Sequence, residues 1–226
     1  FDNAKTAAQH IIPFTTNFKV LKHFSVSVGG NYTDTWSGKT ISYKDYTEDS
    51  GVVKDTISGF DRFGVYNYNA SVTTKIYGIV NFKPKNKVQS IRHTITPSIP
   101  YSNTPSFEEY YDTYIIDADG NTAEYTRFQG GLFGIPGKNY SSSIGINIQN
   151  TLEAKIKPKD STQTELKKIN IFKNLNISTS YNLAAEEFKW SPVRITGSID
   201  LADGLSLNTG ATFDPYALDE NNRRIS

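Results

Sequence analysis

The chain has 226 residues with 24 Lys and Arg, 23 Asp and Glu, and a net charge of +1, so it lacks the basic excess of a nucleic-acid binder. It has no Cys, which excludes a disulfide framework and thiolate metal sites. Apolar runs of only a few residues exclude a transmembrane helix.

The first predicted strand is Ile12 to Val20, with Ile12, Phe14, Phe18 and Val20 on one face. The short connection Leu21-Lys22-His23 leads to Phe24–Trp36, where Phe24, Val26, Val28, Gly30, Tyr32 and Trp36 alternate with polar residues and Gly29. Residues 37–62 are polar and too irregular to assign, and read as a long loop. A third strand, Phe63 to Tyr77, carries Tyr66, Tyr68, Ala70, Val72 and Ile76 on its apolar side. A lysine-rich connection at 83–87 precedes the fourth, Ile91 to Tyr101, and residues 102–139 read as a second long loop.

The fifth strand opposes Ile144, Ile146, Ile148, Leu152, Ala154 and Ile156 to Gly145, Asn147, Gln149, Thr151, Glu153 and Lys155. After a basic connection at 157–168, the sixth (Leu175–Leu183), seventh (Val193–Leu201) and eighth (Leu205–Phe213) each show one apolar and one small polar face. The turn Ala202-Asp203-Gly204 joins the last two. Nine-residue strands of this kind suit lipid on one side and water on the other. Mean hydropathy is negative, but in a barrel only alternate strand residues meet lipid. Aromatics reach 13% and include 14 Tyr, a residue favoured at membrane–water boundaries.

The expectation is an all-β fold, an antiparallel transmembrane β-barrel of the outer-membrane type, to which this chain contributes about eight strands. All 226 residues fall in that one domain. The start at Phe-Asp-Asn, without Met or an apolar leader, reads as a piece of a longer or processed protein. Connections alternate between shorter and longer, as barrel turns and loops do. The turn ends hold 13 basic and 5 acidic residues and the loop ends 10 basic and 17 acidic, so a near-neutral chain is polarised. On this assignment the turn at 202–204 faces the periplasm, with Trp190 and Phe213 near the outer interface.

Chemical motifs are few. His10, His23 and His93 have no metal-ligand spacing. Asp117-Ala118-Asp119-Gly120-Asn121 places its Gly too early for a calcium loop and reads as the turn of a hairpin. Residues 131–139 resemble a phosphate loop only at Gly137-Lys138. No catalytic constellation stands out, and the expectation is no enzyme and no cofactor. Pro13, Pro97 and Pro100 fall inside strand patterns, where each removes a ladder donor. They either bend or end their strands, or mark a deliberately weakened seam.

Several segments resemble LptD, the lipopolysaccharide-assembly protein of the outer membrane, in its divergent Bacteroidota form. These are Arg92-His93-Thr94-Ile95-Thr96-Pro97-Ser98-Ile99, Tyr125-Thr126-Arg127-Phe128-Gln129-Gly130-Gly131 and Ile177-Ser178-Thr179-Ser180-Tyr181-Asn182-Leu183-Ala184-Ala185. Trp190-Ser191-Pro192 and Phe213-Asp214-Pro215-Tyr216-Ala217-Leu218-Asp219-Glu220 add to them. The specific likeness covers residues 90–226; the first ninety fit as generic barrel strands.

The resemblance implies a large barrel completed by strands outside this chain, and a periplasmic N-terminal domain also outside it. It further implies a plug lipoprotein of the LptE kind, periplasmic bridge proteins, and lateral release of lipopolysaccharide into the outer leaflet of a Gram-negative outer membrane. It implies prolines that loosen the seam between first and last strands. A lumen lined by Asn147, Gln149, Thr151, Asn176, Ser178, Arg194 and Asn208 would hydrate the sugars. Lys155, Lys157 and Arg92 at the turn end would attract phosphates. The competing readings are a diffusion porin or structural pore, and a soluble β-sandwich or adhesin.

Overall fold

The computed structural model describes residues 4–158, 165–202, 205–221 and 223–225. The eight expected strands are present and pair antiparallel in chain order. They are β1 (Ala7–Val20), β2 (Phe24–Thr47), β3 (Gly51–Thr73) with its continuation β4 (Ile76–Asn81), and β5 (Val88–Thr104). After the small ribbon β6 (Tyr111–Ile115) and β7 (Thr122–Thr126) come β8 (Ser141–Ile156), β9 (Lys167–Asn182), β10 (Val193–Ala202) and β11 (Leu205–Phe213). The sheet order is β1-β2-β3-β5-β8-β9-β10-β11, with β4 also on β5. A last ribbon joins β12 (Ala217–Leu218) to β13 (Arg224–Ile225). No pairing links β1 to β11 among the described residues.

Residues 37–62 are not a loop. β2 runs on to Thr47 and β3 begins at Gly51, so this stretch is a long hairpin closed by a turn at 48–50, with Gly51 at φ +63°. Its sequence is polar on both faces, which erased the alternation. The remaining signal was its content of β-branched and aromatic residues such as Ile41, Tyr43, Tyr46, Val52 and Val53. The second expected loop is also structured, through β6 and β7 and a short 3-10 turn at Glu108–Tyr110. Of the expected turn at 202–204, Asp203 and Gly204 lie outside the described residues.

The chain forms two compact units. One contains Phe1–Thr15, Gly29–Asn69 and Ser102–Ser141. Here segment 102–140 folds back over strand residues of its own unit. Phe63, Phe107 and Phe128 are buried, and Phe63 meets Phe128 with ring centroids 4.7 Å apart. Tyr110 packs edge-on to both rings and donates its hydroxyl hydrogen to the Gly64 carbonyl at 3.3 Å. Tyr43 of β2 stacks on Tyr114 at 4.5 Å and meets Tyr125 edge-on. Each such pair contributes about 0.5–1.5 kcal/mol beyond its buried area. The Arg127 guanidinium binds Asp61 at 2.6 Å and lies over the Phe128 ring, tying the turn after β7 to β3.

The other unit contains Thr16–Val28, Ala70–Tyr101 and Ser142–Ser226. Its only buried hydrophobic residue among those described is the small Ala154. Phe18, Ile76, Ile79, Val80, Ile99 and Leu207 are exposed. A water-soluble sandwich would cover such a face with a second sheet. Among the described residues, the only additional sheets are the two-stranded ribbons.

Candidate functional site

Strands β8 to β11 place the expected polar residues in rows. In β8 and β9, Asn147 faces Ser178 and Gln149 faces Asn176; in β10, Arg194 again faces Ser178 and Thr196 faces Asn176. Across to β11, Arg194 faces Thr212, and Ser198 faces Asn208. Directly opposed residues on a sheet point to the same side. Asn147, Ser178, Arg194 and Thr212 therefore make one polar row, and Gln149, Asn176 and Thr196 the next. A third row joins Asn174, Ser198 and Asn208. An open hollow of about 360 Å³ lies over this third row, where Gly210 leaves space beside Thr196.

Between these rows, on the opposite side, run apolar ones: Ile148–Ile177–Ile195–Ala211 is continuous across four strands. The sheet here is two-faced because the side-chain period of a strand is two and four consecutive strands keep register.

Two expected members stand apart. Thr151 sits where the register shifts between Asn150 and Leu152. Lys155 lies beyond that irregularity, opposite Lys168, whose ammonium pairs with Glu153 at 2.6 Å. Like charges directly opposed are unfavourable, and Glu153 offsets them.

The prolines divide. Pro13 lies within β1, the terminal strand of the sheet order, where a missing donor is tolerated. Pro97 and Pro100 lie within β5, flanked by β3 and β8. β5 does not end at either. Pro97 sits where β3 gives way to β4, its carbonyl accepting from the Thr74 N–H at 3.2 Å. A Cβ on Gly145 would fall 2.8 Å from Pro100 Cγ, so the glycine makes room for the ring.

The segment at 117–121 is the tip of the β6–β7 hairpin, as expected of a turn. Gly120 has φ +81°. The Asn121 N–H and side-chain amide both donate to the Asp117 carboxylate, at 3.0 and 2.7 Å. The Asn121 side chain chiefly, then its backbone, holds the Asp117 carboxyl below the usual Asp range. Nearby, Lys138 pairs with Glu124, which raises the ammonium above its ordinary value. Burial pushes the Tyr111 phenol up; its hydroxyl donates to the Pro136 carbonyl at 2.5 Å. No group of three or more metal-ligating side chains occurs among the described residues.

Sequence reasoning missed the Asp61–Arg127 pair, whose members are 66 positions apart, and the lysines grouped near the start of β1. Neither has a local sequence signal.

The family model described as "LptD protein" matches residues 1–216. The match begins ninety residues before the segments that carry the resemblance in the sequence, and so includes the strands that fitted only generically. No curated protein and no solved structure matches the chain. No helix among the described residues is long and apolar enough to cross a membrane, which says nothing of strands. With a family match over nearly its whole length, this chain belongs to the LptD family of lipopolysaccharide-transport proteins.

Proposed function

We propose that the chain is part of the wall of an outer-membrane β-barrel that inserts lipopolysaccharide into the outer leaflet. The observation that carries this reading is the two-faced sheet of β8–β11, with an unbroken apolar row on one side and hydrogen-bonding rows on the other. Exposed Phe18, Val80 and Leu207 add to the apolar surface; large exposed apolar areas mark membrane or partner contact. On this reading Asn147, Gln149, Asn176, Ser178, Arg194 and Asn208 hydrate sugars in the lumen, and Thr151 and Lys155 extend that lining toward the turn end. Pro13, Pro97 and Pro100, each of which removes a ladder donor from its strand, are the candidates for loosening a seam. A plug lipoprotein and a periplasmic bridge complete the machine.

The test is surface delivery of lipopolysaccharide in cells carrying R92Q/K155Q/K157Q. Slower arrival with normal barrel levels supports the reading, and unchanged arrival overturns the entry role of these residues. Conductance of the purified, partner-bound protein in planar bilayers separates the translocon from a porin: a plugged translocon stays closed, whereas a porin conducts freely.

A further inference from the structure

In the unit containing segment 102–140, a cavity of about 340 Å³, the volume of about eleven waters, adjoins residues of β1, β2 and β3. Lys5, Lys39 and Lys54 line it, with Ser37, Thr40 and Thr56 and the turn at 129–132. Among the described residues no lining residue is acidic, although the surrounding strand segments are rich in Asp. Those acids are engaged elsewhere. Asp55 pairs with Lys44 at 2.7 Å, Asp61 with Arg127, and Asp45 accepts the Ile115 N–H at 2.8 Å.

The Lys5 ammonium donates to the Gly130 carbonyl at 2.8 Å. That neutral acceptor fixes its position without cancelling its charge, and an ammonium has two further donors. Lys54 Nζ lies 5.7 Å from the Tyr43 ring centroid, which likewise holds a cation without neutralising it. Fixed cations around a small polar cavity attract an anion. Among the described residues the lining contains no Arg, the side chain whose planar fork matches a carboxylate. Ammoniums as point charges, beside hydroxyl-bearing residues, suit a tetrahedral oxyanion. The volume exceeds that of the oxyanion alone and leaves room for an attached ring.

We propose that this cavity binds a phosphate group carried on a sugar. That the phosphosugar is the head of the transported glycolipid rests on the function proposed above; the phosphate site itself does not.

The test is calorimetric titration of the detergent-purified full-length protein with inorganic phosphate, glucose 1-phosphate, glucose, and lipopolysaccharide before and after phosphatase treatment. The expected result is binding of glucose 1-phosphate but not glucose, weakened by about tenfold or more in K5Q/K54Q. K5R/K54R, which keeps both charges, and K22Q, at a lysine that does not line the cavity, retain binding. Absence of binding by every phosphorylated probe, or equal binding by K5Q/K54Q, overturns the site, and neither result bears on transport. Lysine-dependent binding of glucose 1-phosphate that intact lipopolysaccharide fails to displace leaves the site standing and removes the glycolipid as its ligand. Displacement by lipopolysaccharide that is lost after phosphatase treatment identifies the headgroup as the source.

Discussion

Segment 102–140 and strands β8–β11 are both antiparallel β-structure, yet they solve opposite problems. The first is held by side chains: Phe63, Phe107 and Phe128 are buried within their unit, and Arg127 is clamped between Asp61 and an aromatic ring. The second is held by its ladder, with one face apolar and open and the other polar and open. A packed core makes a segment sensitive to lost volume. A two-faced sheet is instead sensitive to which face receives a charge.

The largest effect is expected from Phe128→Ala, which removes a ring from the only aromatic core among the described residues and should cost about 3–5 kcal/mol locally. Hydrogen exchange should show protection lost over 102–140 while β8–β11 keep theirs. Uniform loss in both regions would erase the distinction. Next is a pair of neighbours on β8. Ile148→Arg should destabilise the protein in lipid by roughly 2–4 kcal/mol, while Gln149→Arg, on the polar face, should be nearly neutral. Urea unfolding from vesicles reads the difference, and equal costs would mean the two faces share one environment.

The smallest effect is at the hairpin tip. Asp117 has a folded pKa below its ordinary value of 3.8, so its contribution is present above the ordinary carboxylate range and is lost as pH falls through the depressed folded value. Asn121→Ala should return the Asp117 titration toward the ordinary range. An NMR titration of that carboxyl checks it, and an unmoved midpoint would remove Asn121 as the cause.

The same contrast explains what could be read in advance. Strands β8, β10 and β11 are legible almost residue by residue, because a two-faced sheet writes its geometry into alternation: Asn147, Ser178 and Arg194 lie in one polar row. β9 begins at Lys167, eight residues before the expected Leu175, where lysines mask the strand. The hairpin around 48–50 was illegible, since its residues are polar on both faces and leave no alternation to read. The aromatic core of segment 102–140 and the lysine cavity were hidden for another reason. They join residues tens of positions apart through packing, as Asp61 and Arg127 do, and no local period records such a meeting.

Gly145 and Pro100 carry a consequence for the paths by which this chain can change. The pyrrolidine ring occupies the place a Cβ on residue 145 would take, and unlike the end of a long side chain a ring cannot swing aside. Substitution order therefore matters: Pro100→Ala opens the space and makes Gly145→Ala admissible afterwards, whereas the reverse order passes through a clash. The two positions behave as one heritable unit, with effects that do not add.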